Sequence, residues 1–405
     1  MTAHMTPQPP PVTAQEQDDD LGRVPFVYQN ALPGRVVFAM PAGRAVLAEA
    51  ERCGAGRVLV ASGRSLARMA GGPLQQVERE LGKRHVGTIA TMRGHTPRED
   101  VLEIAEAMRR ARADLLVAVG GGSVIDGCKA ALMCQWMDVR DVAAVDALLD
   151  ATAISPPASP VRMVSVSTTL SGAEFTAVAG VTELATKAKQ IFRHELLVAR
   201  TAILDPAATR MTPIDLLLST GMRSVDHAVE AFCSPSANPV TDLHALQGWR
   251  LLHDGLRAIR SHPDRGGPRA RSQLGMWQAI SALSTGAGSG ASHGIGYAIG
   301  ATFDVAHGHT SCAMLPAVLR WNASVNAARQ QQLSAAVGRP DVPAAMLIAE
   351  LVASLGLPGR LRDLGIGRGD FREIARRSLG YAPVLANPRP IAREADVLEI
   401  LELAL

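Results

Sequence analysis

The chain has 405 residues, 47% hydrophobic and 20% charged, with a net charge of +3. That is ample apolar material for sizeable cores, and it argues against disorder over most of the length. The near balance of charge leaves no footprint for nucleic acid or an anionic membrane, and the length predicts two or three domains.

Residues 1–22 (MTAHMTPQPPPVTAQEQDDDLG) hold prolines, glutamines and an acidic run but almost no large apolar side chain. They are expected to form a flexible tail, since they bury too little surface to offset ordering. From residue 23 the texture changes. RVVF (35–38), RVLVAS (57–62), HVGTIA (85–90), LLVAVG (115–120), VRMVSVST (161–168) and TAILDP (201–206) read as short strands. Helical patterns intervene at 41–53 and 98–112, so the region predicts βαβ units and a parallel sheet. After residue 205 the strand signal fades. Helices are expected at 213–233, 240–260, 271–288, 323–337, 343–355 and 370–379. The predicted organisation is a tail (1–22), an α/β domain (23–205) and a helical domain (206–405).

The five cysteines are scattered without a CxxC pair, which excludes a zinc ribbon and a disulfide framework. No apolar run reaches membrane-spanning length and no signal peptide is visible, so a soluble cytoplasmic protein is expected.

Three motifs carry chemistry. Gly120-Gly121-Gly122-Ser123 follows a buried strand and opens a helix. Glycines there let the backbone approach a pyrophosphate, and the helix N-terminus offers free N–H groups. As a tight strand-to-helix turn alone it would be unremarkable, and its spacing is neither G-x-G-x-x-G nor a P-loop. STTLSGAEFT (167–176) puts small hydroxyls at a strand's C-terminal edge, where ribose or nicotinamide would lie; a plain hydroxyl-rich loop is the bland alternative. His227, His293 and His307 lie on separate helical-domain segments, as metal ligands or proton carriers. A lone helix histidine is usually structural, but three together weaken that explanation. His85, His95, His194, His244, His253 and His262 fall on polar segments and read as solvated surface.

GGGSVIDGCKA (120–130), STTLSGAEFT (167–176), GMRSVDHAVEAF (221–232), HGIGYAIGATFDVAHGHTSCAMLP (293–316) and NPRPIAREADVLEIL (387–401) occur in one order and spacing. Together they resemble the iron-containing (group III) alcohol dehydrogenases, nearest the maleylacetate reductase branch, whose start also resembles YQNALPGRVVF (28–38). The resemblance implies a dehydroquinate-synthase-like architecture: a Rossmann-like dinucleotide-binding domain, a helical domain, a substrate cleft between them, and a homodimer. Carried over, Gly121, Gly122 and Ser123 would hold the pyrophosphate, Thr168 and Thr169 would line the ribose and nicotinamide, and Lys189 would contact a ribose. Ser62 stands where NAD-selective relatives keep an Asp; without that carboxylate, and with Arg64 nearby, NADPH would be accepted beside NADH.

One departure decides the mechanism. Metal-dependent members bind iron or zinc through an Asp and three His, the Asp four residues before the first His. The chain keeps His227, His293 and His307 but has Arg223 at the Asp position and Tyr297 at another family histidine. A guanidinium cannot deprotonate, and at an effective dielectric of 20 a unit charge 4 Å away costs about 4 kcal/mol, doubled for a divalent ion. Asp226 could pair with Arg223, even turning it from the cleft, but its helical direction looks wrong for a ligand. The expectation is therefore no retained metal. The leading function is an NAD(P)H-dependent reductase of a small carbonyl or oxo-acid, with Arg223, His227, His293 and His307 catalytic. The alternatives are an iron- or zinc-dependent alcohol dehydrogenase using the three histidines and water, and a non-redox lyase or cyclase on the same fold.

Overall fold

The structure, a computed structural model, describes residues 34–186 and 188–405. The expected tail therefore lies outside the described residues.

The first half alternates strand and helix. In chain order it runs β1 (Arg35–Phe38), α1 (Ala42–Arg52), β2 (Val58–Gly63), α2 (Arg64–Ala67), α3 (Pro73–Leu81), β3 (His85–Met92), α4 (Arg98–Ala111), β4 (Leu115–Gly120) and α5 (Gly122–Trp136). It continues with β5 (Arg162–Ser167), β6 (Val178–Glu183), β7 (Ala188–Arg193) and β8 (Thr201–Leu204). Six strands form a parallel sheet in the order β1-β8-β5-β4-β2-β3. Period-2 alternation splits the interior strands between two cores. Val58, Val60, Val117 and Val119 pack with residues of α1 and α3, while Leu59, Ala61, Leu116 and Ala118 pack with those of α4 and α5. From β2 the chain steps outward to β3, and from β4 it steps the other way to β5. The carboxyl ends of β2 and β4 thus flank a topological switch point, the usual ligand crevice of such sheets.

Beyond Leu204 all regular elements are helical: α6 (Ile214–Cys233), α7 (Pro239–Ser261), α8 (Gly266–Ala282), α9 (Ala291–Phe303), α10 (His307–Ala336), α11 (Ala344–Leu355), α12 (Phe371–Ser378), α13 (Ala382–Leu385) and α14 (Glu394–Ala404). Helix α6 is buried on every side from Gly221 to Cys233. The segment 168–176 stitches the halves together. Leu170 N donates to Thr220 Oγ1 (3.1 Å), Ser224 Oγ to Leu170 O (2.5 Å) and Thr212 Oγ1 to Thr168 O (2.6 Å). Gly172, at φ +74°, faces Ile280 and Met276 of α8 so closely that a Cβ would sit 3.2 Å from Ile280 Cβ.

The structure corrects several expectations. Strands β6 and β7 form an antiparallel hairpin that the chain-order reading lacks. Helix α10 begins at His307, sixteen residues before the expected 323, and runs through Pro316. Its first half buries Cys312 to Leu319 on all sides, so it has no amphipathic period to read. His253 is buried, 8% exposed, edge-on to the Trp249 ring, rather than solvated.

Helices α7 and α8 pack backbone to backbone. A Cβ on Gly248 would stand 2.7 Å from Ala279 N. Gly248→Ala is expected to force the pair apart and cost about 1–3 kcal/mol. Chemical denaturation should show a lower midpoint at unchanged slope; an unchanged midpoint would contradict this packing.

Candidate active site

At the carboxyl edge of the sheet, Gly121 adopts an extended conformation and caps α5, so the first amides of that helix open toward the crevice. A Cβ on Gly121 would meet Thr169 Cγ2 at 2.7 Å, and one on Gly122 would meet Ser171 Oγ at 3.2 Å. Gly121, Gly122, Ser123, Thr168 and Thr169 therefore form one continuous lip. Thr168 N binds Gly120 O at 3.0 Å, tying the two loops together. Ser62 is placed differently. It is fully buried, and its Oγ donates to Val119 O at 2.8 Å inside the sheet. The strand ends one residue later, so the lip beside Arg64 is formed by Gly63, which carries no side chain.

Lys189 lies on β7 opposite Thr182, its Cε 2.5 Å from where a Gly180 Cβ would be. Gly180 N in turn donates to Asp126 of α5. Burial pulls the Lys189 pKa down, Asp126 resists, and Arg223 adds to the depression. Lys189 thus stands between α5 and the helical half. His95, exposed as expected, lies at the same edge. Its Nε2 is 3.4 Å from Asp304 Oδ1, and both His95 and Thr96 have positive φ, near 60°. Thr182 Oγ1 holds that backbone by donating to His95 O at 2.6 Å.

Opposite the lip, α6 contributes Arg223, Asp226, His227 and Glu230, α9 contributes His293 and Tyr297, and α10 opens with His307. Arg223 does pair with Asp226 (Nη1 to Oδ2, 3.5 Å), yet it stays among the histidines. It donates to Ser311 Oγ at 3.1 Å and lies 5.4 Å from the centre of the Tyr297 ring. Asp226 does reach the cluster, contrary to its expected direction, because α9 packs on that face of α6. Its Oδ2 accepts from Ser311 Oγ (2.6 Å) and Ser292 Oγ (3.0 Å) and is 3.3 Å from His293 Nδ1. The His227 and His293 rings stack at 5.0 Å, and Tyr297 stands edge-on between His293 and His307.

Glu230 is the residue that sequence reasoning missed. Its carboxylate accepts N–H bonds from Gly290 (2.7 Å) and Ser292 (2.7 Å), with a longer one from His293 (3.4 Å), and also faces His293 Nδ1 at 2.7 Å. The one signal was spacing. Arg223, Asp226 and Glu230 follow at i, i+3 and i+7, one face of a helix.

Electrostatics separates the three histidines. Burial, then His293, then Arg223 holds the His227 pKa well below its usual value. Burial, then Lys189, then Arg223 does the same to His307. Burial and Arg223 also oppose charge on His293, but Asp226 and Glu230 outweigh them and raise its pKa. For Asp226, burial would raise the pKa, while His293 and Arg223 together bring it below the ordinary carboxylate value.

Among the described residues, one trio has ligand-type atoms all within 4.8 Å: Asp226, Glu230 and His293. His227 and His307 are not in it. His227 Nδ1, His293 Nε2 and His307 Nδ1 are buried without a hydrogen-bond partner among the described residues. No helix among the described residues is long and apolar enough to cross a membrane.

Residues 33–206 match the iron-containing alcohol dehydrogenase family, and residues 217–405 match the C-terminal region of the Fe-containing alcohol dehydrogenase family. The chain is 31% identical to a maleylacetate reductase of Sphingobium indicum, over 92% of this chain and 95% of the relative. It is 30% identical to maleylacetate reductase 1 of Rhodococcus opacus, over 94% and 96%. The crystal structure of maleylacetate reductase from Agrobacterium tumefaciens superposes with a TM-score of 0.79 at 26% identity, covering 94% of this chain and 98% of that one. With both halves matched in order, the chain belongs to the iron-containing alcohol dehydrogenase family and is an NAD(P)-dependent oxidoreductase.

Proposed function

We propose that this enzyme reduces a small carbonyl compound carrying a carboxylate, an oxo-acid of the maleylacetate kind, and that it does so without a metal ion. The observation that carries this reading is Arg223, a buried guanidinium among three histidines where metal-dependent members of the family keep a carboxylate ligand. The residues present do not fit a divalent cation. The fixed positive charge of Arg223 opposes one, and the ligand-type nitrogens of His227, His293 and His307 do not all lie within 4.8 Å of one another. The trio that does converge is already committed, since Glu230 takes three amides and Asp226 takes two hydroxyls.

The lip at 120–123 with Thr168 and Thr169 suits a dinucleotide, which when bound supplies hydride to the carbonyl carbon. Gly63 offers no carboxylate to repel a 2′-phosphate and Arg64 is exposed beside it, which favours acceptance of NADPH. Arg223 supplies a charge-assisted donor for the carbonyl oxygen or a substrate carboxylate, in a site where such donors act strongly. Lys189 adds a second cation for the substrate's negative charge. The proton for the developing alkoxide comes from the histidine cluster. Maleylacetate reductase relatives support the substrate class.

Arg223→Ala should lower kcat/KM for oxo-acid reduction about 10²–10³-fold, the loss of an oxyanion-type donor. Combining it with Asp226→Asn removes the stranded buried charge, so a folded double variant with the same loss assigns the effect to catalysis. Activity within a few fold of wild type would overturn this role.

Gly122→Val places its branched side chain where the pyrophosphate must approach, while its Cβ meets only Ser171 Oγ. Fluorescence titration should show NADPH binding weakened at least tenfold, a loss of about 1.4 kcal/mol. Wild-type affinity in a folded variant would contradict the cofactor assignment.

Stability should depend on pH from both sides. His227 and His307 have depressed folded pKa values, so below about pH 6.5 the unfolded chain takes up protons that the folded one refuses. Each then costs up to about 1.4 kcal/mol per pH unit. His293, with a raised pKa, contributes fully below that pH and loses its contribution as pH rises through its folded value. Denaturation between pH 5 and 6.5 should therefore show falling stability on acidification. A flat profile there would contradict neutral, buried His227 and His307.

A further inference from the structure

We propose that Glu230 is the positioning residue for His293: it holds a hydrogen on Nδ1, so that Nε2 is the nitrogen whose proton passes from the imidazolium to the substrate oxygen, leaving the neutral Nδ1–H ring. The proposal rests on the reading that the histidine cluster serves carbonyl reduction, and it selects one of three histidines.

The geometry leaves the ring little choice. Gly290, Ser292 and His293 are the start of α9, where amides have no acceptor within their own helix. Glu230, arriving from α6, takes all three and so caps α9 from outside. A Cβ on Gly290 would stand 3.0 Å from Glu230 Oε1, so a glycine is what permits the approach. With both oxygens already accepting N–H groups, the carboxylate can only accept from the ring as well. His293 Nδ1 must therefore be the donor across its 2.7 Å contact. Asp226, one turn earlier, meets the same nitrogen at 3.3 Å with an oxygen that already accepts two hydroxyls. Two carboxylates on one side of the ring exclude the flipped tautomer, which would turn a lone pair toward both.

The opposite nitrogen has the complementary property. Nε2 of His293 is buried and has no partner among the described residues. His227 and His307 have buried Nδ1 atoms with no partner among the described residues, so no carboxylate fixes their tautomer from that side. The hydrogen bond at one imidazole nitrogen sets what the other can do. Among the described residues, His293 is the one of the three held with one nitrogen tied to a carboxylate and the other free. The same carboxylate fixes the position of the ring through the α9 backbone and its tautomer through Nδ1.

The test pairs a spectroscopic readout with kinetics on the full chain. Two-bond ¹H–¹⁵N correlation of the histidine side chains, with His293 assigned by loss of its signals in His293→Gln, should show the neutral ring, reached as pH is raised, with its hydrogen on Nδ1 in the wild type. Glu230→Gln keeps an oxygen for the amides but turns a donor toward Nδ1. It should shift the ring to the Nε2–H form and lower kcat on the order of 10²-fold or more, as a misplaced tautomer does. KM for NAD(P)H should stay within about twofold, which a general loss of structure would not allow. A neutral His293 ring in the Nε2–H form in the wild type overturns the proposal and needs no folded variant. So does a folded Glu230→Gln with unchanged kcat. An Nδ1–H wild type that reduces no oxo-acid refutes the substrate reading while leaving the tautomer assignment standing.

Discussion

A guanidinium shut inside a helical domain has to be balanced, and the balance struck by Arg223 organises the rest of the site. Asp226 lies 3.5 Å away on the same helix, and Glu230 one turn further adds a second buried carboxylate. Burying a charge without a partner costs several kcal/mol, and removing one member of a buried pair costs about 3–5 kcal/mol. Once Arg223 occupies the centre of α6, carboxylates must follow it within reach. Their own charge then draws a third element in, because His293 of α9 sits against both. Arg223, Asp226, Glu230 and His293 thus form one connected set spanning two helices, with Ser292 and Ser311 filling its remaining bonds.

The position of this set against the glycine-rich lip depends on a different kind of interaction. The parallel sheet is buried on both faces, which fixes where β4 and β5 end and so where residues 120–123 and 167–176 emerge. Segment 167–176 then runs directly onto α6 and α8. Ser224 donates to Leu170 O between Arg223 and Val225, so the loop lining the lip and the helix carrying the guanidinium share a hydrogen bond. Movement of one half relative to the other would have to break that contact and the Thr212 and Thr220 bonds beside it. The lip and the histidine cluster are thereby held at a set separation.

Much of this was legible from residue order. Interior strands of a parallel sheet are near-continuous apolar runs, so β1 to β5 and β8 stood out, as did the amphipathic α1, α4 and α11. The hairpin β6–β7 did not, because AKQIFR is largely polar and exposed and carries no tight-turn dipeptide. Helices α9 and the front of α10 were hidden by their glycines, histidines and Pro316, and by burial all round, which erases periodicity. Ser62 illustrates a one-residue limit. Where a strand ends decides whether a hydroxyl meets a ligand or its neighbour's carbonyl, and boundaries are the least readable feature of a sequence. Glu230 escaped notice for another reason. It reads as an ordinary polar helix residue, and its role exists only once α9 is packed against it.

The account turns on whether charge from Arg223 stands in for a metal ion. The most direct measurement is metal content together with oxo-acid reduction by NAD(P)H, before and after exhaustive chelation of the purified enzyme. The account predicts substoichiometric iron and zinc and an unchanged rate after chelation. One tightly held equivalent of metal, with activity lost on its removal and restored by adding it back, would contradict the account.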